Sequence, residues 1–320
     1  MSKKTFKILI TSAGSVNAVN VIKALKKQND IRISITSVDA DCLSPGFYLS
    51  DSYYTVPKVD QINFIPKILE ICQKEKIEII LPINSIELPI FSKNKKLIKR
   101  AGIKMAVSNP KVYEFTEDKI KTHNFFKKNR IFCPKLYSLK ELESGTIEFP
   151  LIIKPRRSSG SKNVYQVNNK RELQFFVKYV ENPIIEEFVK GKEYTIDTVS
   201  DLSGKMIAAS PRIRIQVRDG IAVKSITKSN QLLVDYAMQI TNKLEMVGPG
   251  NIQCIINDKD IKFIEVNNRF PAGGLPLTVE AGLNIPLIII KLLLGRKIGK
   301  INIKSGITMI RYWDSLFLNL

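Results

Sequence analysis

Glu265, Asn267 and Arg269 stand two residues apart in the run IKFIEVNNRF. Strand alternation then points a carboxylate, an amide and a guanidinium to one face. A second apolar run, NIQCII, begins at Asn251 and is joined to the first through Asn257-Asp258-Lys259-Asp260. With Asp258, Lys259 and Asp260 as a loop closed by Asn257 and Ile261, antiparallel pairing sets Ile255 opposite Phe263 and Gln253 opposite Glu265. Gln253, Glu265 and Asn267 then offer oxygens from two adjacent strands. That donor set suits a hard cation such as Mg2+, whose shell substrate phosphates complete, and Arg269 reaches the same phosphates. A polar strand end facing solvent would show the same alternation.

Other segments carry related chemistry. In IIKPRRSSGSKNV a strand ends at Lys154 and runs into Ser158, Ser159, Gly160 and Ser161. Small residues let backbone N–H groups approach an anion, and Lys154 and Lys162 add charge. No G-x-x-x-x-G-K-[ST] pattern is present, so the loop is not a P-loop, and a plain mobile turn is the competing reading. In PIIEEFVKGKEYTIDT, Glu186 and Glu187 end an apolar strand and Glu193 follows. A strand edge beside an acid suits adenine and ribose hydroxyls; solvated strand ends would look alike. SPRIRIQVRDGIAVKSI sets Arg212, Arg214, Arg218 and Lys224 on strands. Arg212 and Arg214 share a face and can clamp a carboxylate or phosphate, unless the charges only guard an edge strand against aggregation. Gly273 and Gly274, in PAGGLP, allow close approach of a substrate.

These residues need a scaffold. FKILIT, RISITSVD, IEIILPI and IKMAVS read as strands, with VNAVNVIKALKKQ and NFIPKILEICQKEK as helices between them. The alternation predicts a doubly wound parallel sheet over roughly residues 1–108. Its first turn, SAGSVN, has Gly14 alone and lacks G-x-G-x-x-G, although Asp39 ends the second strand where a ribose-binding acid can sit. That turn can also receive a substrate carboxylate or phosphate at a helix N-terminus. A new pattern starts near Asn109-Pro110, and from Lys192 onward the chain is strand-rich with helices on one side, an α+β arrangement ending in a last strand GITMIRYWDSLFL.

The bulk composition excludes several classes. The 320-residue chain is 44% hydrophobic and 25% charged, as globular proteins are. Its longest apolar stretch, IPLIIIKLLLG, is half a membrane span and contains Lys291. The start reads as a first strand rather than a signal peptide, which places the chain in the cytoplasm. Four scattered cysteines lack metal or disulfide spacing. The one histidine, His123, reads as a solvated helix residue, so histidine-dependent triads are excluded. The net charge of +20 comes from dispersed lysines without aromatic interleaving. Nucleic acid is therefore not the expected partner, and steering of phosphorylated ligands is the role left for the charge.

Taken in order along the chain, the Lys154 loop, the Glu193 segment and the hairpin resemble the ATP-grasp superfamily, most closely its carbamoyl-phosphate-synthase branch. The resemblance implies a pre-ATP-grasp α/β domain with a parallel sheet at 1–110, a central α+β subdomain with the phosphate loop at 111–185, and a C-terminal α+β subdomain with the metal site at 186–320. Lys119 matches the first nucleotide-binding basic position and Lys154 the second. Ser159, Gly160 and Ser161 match the phosphate loop. Glu187, Phe188 and Val189 border the adenine with Glu186 nearby, and Glu193 takes the ribose. Gln253, Glu265 and Asn267 match the metal set, with Gln in place of the acid many members have first. Arg269 and Lys154 match the groups that stabilise the transferring phosphoryl. The implied cofactors are ATP and Mg2+, two ions with Mn2+ as an alternative. The implied reaction joins a small-molecule carboxylate, activated as an acyl phosphate, to an amine or other nucleophile, releasing ADP and phosphate. A homodimer is admitted alongside a monomer. A nicotinamide-dependent oxidoreductase using the first domain, and a nucleotide-binding regulator without turnover, are the competing functions.

Overall fold

The structure is a computed structural model that describes residues 4–138, 140–141, 147–158, 160, 162–257 and 260–318. Ser159 and Ser161 of the expected phosphate loop, and residues 258 and 259 of the hairpin loop, lie outside the described residues.

Strands β1 (Phe6–Ile10), β2 (Ile33–Asp39), β3 (Ser52–Thr55), β4 (Ile79–Leu81) and β5 (Lys104–Met105) form a parallel sheet in the order β3-β2-β1-β4-β5. Their nearly continuous apolar sequences follow from burial on both faces. Helix Val16–Lys26 starts where the Ser15 side chain accepts the Ala18 N–H and ends with Lys23 and Lys26 near its carbonyl end. The apolar run IPLIIIKLLLG supplies helix Ile285–Leu293. Its Ile289 and Ile290 are buried against Val21, Ile22 and Leu25, so the run joins the first domain to the rest of the chain. Among the described residues, no helix is long and apolar enough to cross a membrane.

At the end of β2, Asp39 accepts the Gly14 N–H at 2.7 Å and the Asp41 N–H at 3.0 Å. The first turn therefore spends its N–H on the chain's own acid. That N–H is not free for the phosphate that a nicotinamide nucleotide would bring.

A four-stranded antiparallel sheet follows: β6 (Leu136–Tyr137), β7 (Leu151–Pro155), β8 (Tyr165–Val167) and β9 (Pro183–Glu187), in the order β6-β9-β7-β8. Helix Lys170–Tyr179 closes its small core through Leu173, which packs with Leu151, Ile153, Val167 and Ile185. Glu186 pairs with Leu136 and Ile152, and Glu187 with Leu151. The boundary expected at 186 thus falls inside β9; the chain leaves this sheet after Glu187 and enters the next at Lys192.

That next sheet has six antiparallel strands: β10 (Lys192–Ser200), β11 (Met206–Arg218), β12 (Ile221–Thr227), β13 (Gly248–Ile256), β14 (Ile261–Asn267) and β15 (Thr308–Ile310), ordered β14-β13-β10-β11-β12-β15. Helix Gln231–Leu244 covers one face with Leu233, Ala237 and Ile240 against Ile196, Ile252 and Val266. The last strand is shorter than expected. Its partner β12 begins at Ile221, so after the Arg311 N–H bonds to Val223 little backbone remains to pair with, and Tyr312, Trp313 and Phe317 are exposed.

His123 is buried rather than solvated: its Nε2 lies 3.0 Å from the Pro134 carbonyl, and burial lowers its pKa, favouring the neutral ring. Nearby, Asp118 caps helix Lys119–Lys128 and pairs with Arg156 Nη2, at the start of the expected phosphate loop, at 2.7 Å. Burial alone would raise the Asp118 carboxyl, but the Arg156 guanidinium and the Lys121 and Ile120 N–H groups outweigh it and hold it below the usual 3.8. A depressed carboxyl stabilises the fold above its unfolded pKa, and that contribution disappears as pH falls through the folded value. Asp118→Asn keeps a capping oxygen and loses the charge pair. It is expected to lower stability at pH 7 in urea unfolding, with the difference from wild type shrinking below pH 4. A constant difference down to acid pH would show that Asp118 acts only as a cap.

Candidate active site

The hairpin sets Gln253 opposite Glu265, as alternation requires, but by a different route. The turn is one residue tighter: the Asn257 N–H bonds to the Asp260 carbonyl at 3.1 Å, and the Asp260 N–H bonds to Asn257 Oδ1 at 2.7 Å. Near the turn, Ile255 therefore faces Lys262, and Phe263 faces Cys254 rather than Ile255. A bulge at Ile264 restores the register before Glu265. Phe263 and Val266 both point into the core, while Ile264 and Glu265, consecutive in sequence, both line the cavities on the other face. Asn267 Nδ2 donates to Glu265 Oε1 at 3.1 Å, and Arg214 Nη1 donates to Gln253 Oε1 at 3.4 Å.

A cavity of about 230 Å3 runs from this hairpin to β9. Lys119, Lys154 and Gly160 line it, as do Glu186, Glu187, Phe188, Val189 and Glu193. The expected nucleotide residues that are described therefore share one wall system with Gln253 and Glu265. Lys154 and Glu186, both buried, form an ion pair at 2.6 Å. Glu187 pairs with Lys262 and accepts the Lys135 N–H at 2.9 Å. Lys119 Nζ reaches the Ser158 hydroxyl at 3.0 Å and its carbonyl at 3.2 Å. Burial lowers the Lys119 pKa, and the Glu265 carboxylate opposes that shift.

Arg214 ties the site together. It pairs with Glu193, contacts Gln253, and donates to the Gly220 carbonyl at 2.8 Å. Asp219 and Gly220 have φ of 49° and 73°, the two left-handed residues of a tight hairpin turn. That tip rests on the phosphate loop: a Cβ on Gly220 would lie 2.8 Å from the Gly160 carbonyl carbon. The Asp-Gly dipeptide signals the turn in the sequence, but nothing local signals what the turn touches.

Arg212 and Arg214 do share a face, yet each has its own acid. Arg212, 3% exposed, donates to Asp197 at 2.9 and 3.2 Å, and Asn251 and Thr278 complete the same carboxylate at 2.8 and 2.5 Å. Gly274 is glycine because a Cβ would come within 2.1 Å of Arg212 Nε, and one on Gly273 would lie 2.7 Å from the Ala222 nitrogen. Arg218 and Lys224 are exposed and line neither cavity at the hairpin. Arg269 bonds to the Phe270 carbonyl at 3.0 Å. Burial lowers its pKa, against the pull of Glu265 and Asp197.

A second cavity of about 300 Å3 adjoins the first at Lys119, Ser158, Ile264 and Glu265. Its other walls include Ser85 and Ile86 of the first domain, and Glu117. Motif reading passed over these residues, because Glu117 differs from its neighbours only by preceding Asp118-Lys119.

Among the described residues, no three His, Cys, Asp or Glu side chains cluster to hold a metal. The set at the hairpin is one carboxylate and two amides, which fits an oxygen-seeking cation that brings phosphate ligands with it.

Residues 116–273 match the family model described as an ATP-grasp domain, and residues 8–106 match that of a PylC-like N-terminal domain. The carbamoyl phosphate synthase large chain of Clostridium botulinum is 23% identical over 95% of this chain and 30% of its own length. A D-alanine–D-alanine ligase of Petrotoga mobilis is 35% identical over 32% of this chain and 36% of the relative. The chain thus spans about a third of the length of these curated relatives. Among solved structures, the biotin carboxylase domain of Hydrogenobacter thermophilus 2-oxoglutarate carboxylase, in complex with MgADP, ADP and bicarbonate, superposes with a TM-score of 0.74. It is 18% identical over 94% of this chain and 73% of that one, a likeness of fold. Two consecutive family matches, a parallel sheet followed by two antiparallel ones, and a hairpin bearing Gln253, Glu265 and Asn267 agree: the chain belongs to the ATP-grasp superfamily, with a PylC-like domain ahead of its ATP-grasp domain.

Proposed function

We propose that this chain is a cytoplasmic, ATP- and Mg2+-dependent ligase that activates a carboxylate as an acyl phosphate and joins it to an amine, releasing ADP and phosphate. The observation that carries this reading is Glu265, set between Gln253 and Asn267 where the nucleotide cavity opens into a second cavity. Relatives named as carbamoyl phosphate synthases and a D-alanine–D-alanine ligase support it. Glu187 through Val189 border the adenine, and Glu193 takes the ribose once Arg214 yields it. Lys119 and Lys154 hold phosphate oxygens, with Gly160 over them. Gln253, Glu265 and Asn267 would hold Mg2+, two ions or Mn2+ in its place, and the bound cation neutralises phosphate charge. Arg269 and Lys154 stabilise the phosphoryl group as the substrate carboxylate oxygen attacks it. Phosphoryl transfer of this kind needs positioning and charge rather than a histidine base.

The test is ADP release against a panel of amino acids, sugar acids and small dicarboxylates, with hydroxylamine present to trap any acyl phosphate as a hydroxamate read by mass spectrometry. A ligase gives carboxylate-dependent ADP release and the matching hydroxamate. ATP binding with no ADP release across the panel would support a regulator instead.

A further inference from the structure

The two cavities meet at the group being transferred. The nucleotide occupies one of them in the ligase reading, so a substrate must approach from the other. That second cavity has apolar walls from Ile86, Leu88, Pro89, Tyr113 and Ile264. Two carboxylates line it. Glu265 is committed to the cation, and Glu117 remains. Glu117 is half-buried and, among the described residues, has neither a hydrogen bond nor an ion pair. Every other acid around the site is engaged: Asp118 with Arg156, Glu186 with Lys154, Glu187 with Lys262 and Glu193 with Arg214.

From this geometry we infer that the second cavity is the acceptor subsite, that it takes a primary amine carrying an apolar body, and that Glu117 is the counter-charge for its ammonium. The inference rests on the ligase reading for the order of events, and on the cavity for the ligand. A partly desolvated carboxylate without a partner is costly, and a bound ammonium completes it with a charge-assisted hydrogen bond. Lys119 and Arg157, which also line the cavity, would repel that ammonium unless an acid stood beside them. Burial raises the Glu117 pKa, with Arg157 and Lys93 opposing, so the carboxylate is a better proton acceptor than a solvated one. In the ligation step the ammonium gives one proton to Glu117, and the nitrogen lone pair so freed attacks the acyl carbon. The C–N bond forms and the C–O bond to phosphate breaks. Phosphate leaves with the bonding pair and takes the second nitrogen proton, so that a neutral amide and hydrogen phosphate result, and the first proton passes from Glu117 to solvent.

The experiment uses the whole chain loaded with Mg2+ and the nonhydrolysable analogue AMP-PNP, with n-pentylamine, pentanol and pentanoate as probes in ligand-observed NMR. Wild type is expected to bind pentylamine at least about tenfold more tightly than pentanol, a charge-assisted bond of roughly 1.4 kcal/mol. Glu117→Gln should erase that preference. Ile86→Trp, at a largely exposed wall position that the fold tolerates, should weaken both pentylamine and pentanol. In both variants AMP-PNP should bind as in wild type, which shows that they fold. With a carboxylate found by ADP release, Glu117→Gln should raise KM for the amine about tenfold and also lower kcat, with a much smaller effect on hydroxamate formation, since hydroxylamine is neutral at pH 7 and needs no counter-charge. Equal pentylamine binding in wild type and Glu117→Gln, or none in wild type while AMP-PNP binds, would overturn the inference. So would a preference for pentanoate, which would make the cavity the acyl donor's. Failure of wild type to bind AMP-PNP would bring down the ligase reading itself.

Discussion

Glu265→Gln is expected to cut ADP release by about a thousandfold or more while leaving the unfolding midpoint within error of wild type. Glu265 is the one carboxylate in the hairpin set; Gln253 and Asn267 contribute neutral amides. Replacing it leaves three amides, too little charge to hold a divalent cation against water even with phosphate ligands present. The fold should survive because Glu265 is only half-buried and accepts a hydrogen bond from the Asn267 amide, which a glutamine oxygen can still accept. The change should also be felt at Lys119 and Arg269, both of which Glu265 holds in the charged form against burial. ADP release with saturating Mg2+, beside circular dichroism melts, checks this. Turnover like that of wild type would remove Glu265 from the metal site. Raised Mn2+ that restores a few per cent of the rate would instead support it, because a tighter-binding ion compensates for a lost ligand.

Lys154→Met should reduce ATP use by at least about a hundredfold through loss of a phosphate contact, and it should also destabilise the protein by about 3 kcal/mol. The second effect comes from the buried Lys154–Glu186 pair, whose two partners are almost wholly removed from solvent. Deleting the ammonium strands a buried carboxylate at the end of β9. Adding Glu186→Gln in the same chain removes that stranded charge and should recover most of the stability without recovering ATP use. Urea unfolding of the single and double variants, together with ATP-dependent ADP release, separates the two roles. Unchanged ATP kinetics in the stable double variant would take Lys154 out of the nucleotide site. A single variant as stable as wild type would show that the pair contributes little to the fold.

Period-two alternation made Glu265 and Asn267 legible, since a strand's faces follow from residue spacing; Arg269 lies past the end of β14 and lines neither cavity at the hairpin. The same rule put Gln253 opposite Glu265, but with compensating errors. The turn is one residue shorter than expected, and Ile264 bulges to make up the difference. A bulge depends on how Phe263 and Val266 both reach a core built by a helix some twenty to thirty residues away, which local spacing does not encode. Lys154 and Glu186 were legible as candidate site residues at strand ends. Their mutual pairing was not, because β7 and β9 become neighbours only in the folded sheet. The solvated reading of His123 failed for a related reason: its helix is lysine-rich, yet the face carrying His123 packs beside Pro134. Asp39 looked free at a strand end until the fold brought Gly14 onto it.

By itself the sequence determined the order of the units and supplied residue types able to hold phosphate and a cation, and it set the strand faces wherever no bulge intervenes, because these depend on periodicity and on functional groups in sequence. Tertiary structure alone decided which acids are already neutralised and which is not. Glu186, Glu187, Glu193 and Asp197 look alike in the chain, yet each meets a cation from another strand, while Glu117 opens into a cavity between domains. Charge pairing acts through space within a few ångströms, and that distance is set by packing rather than by position along the chain.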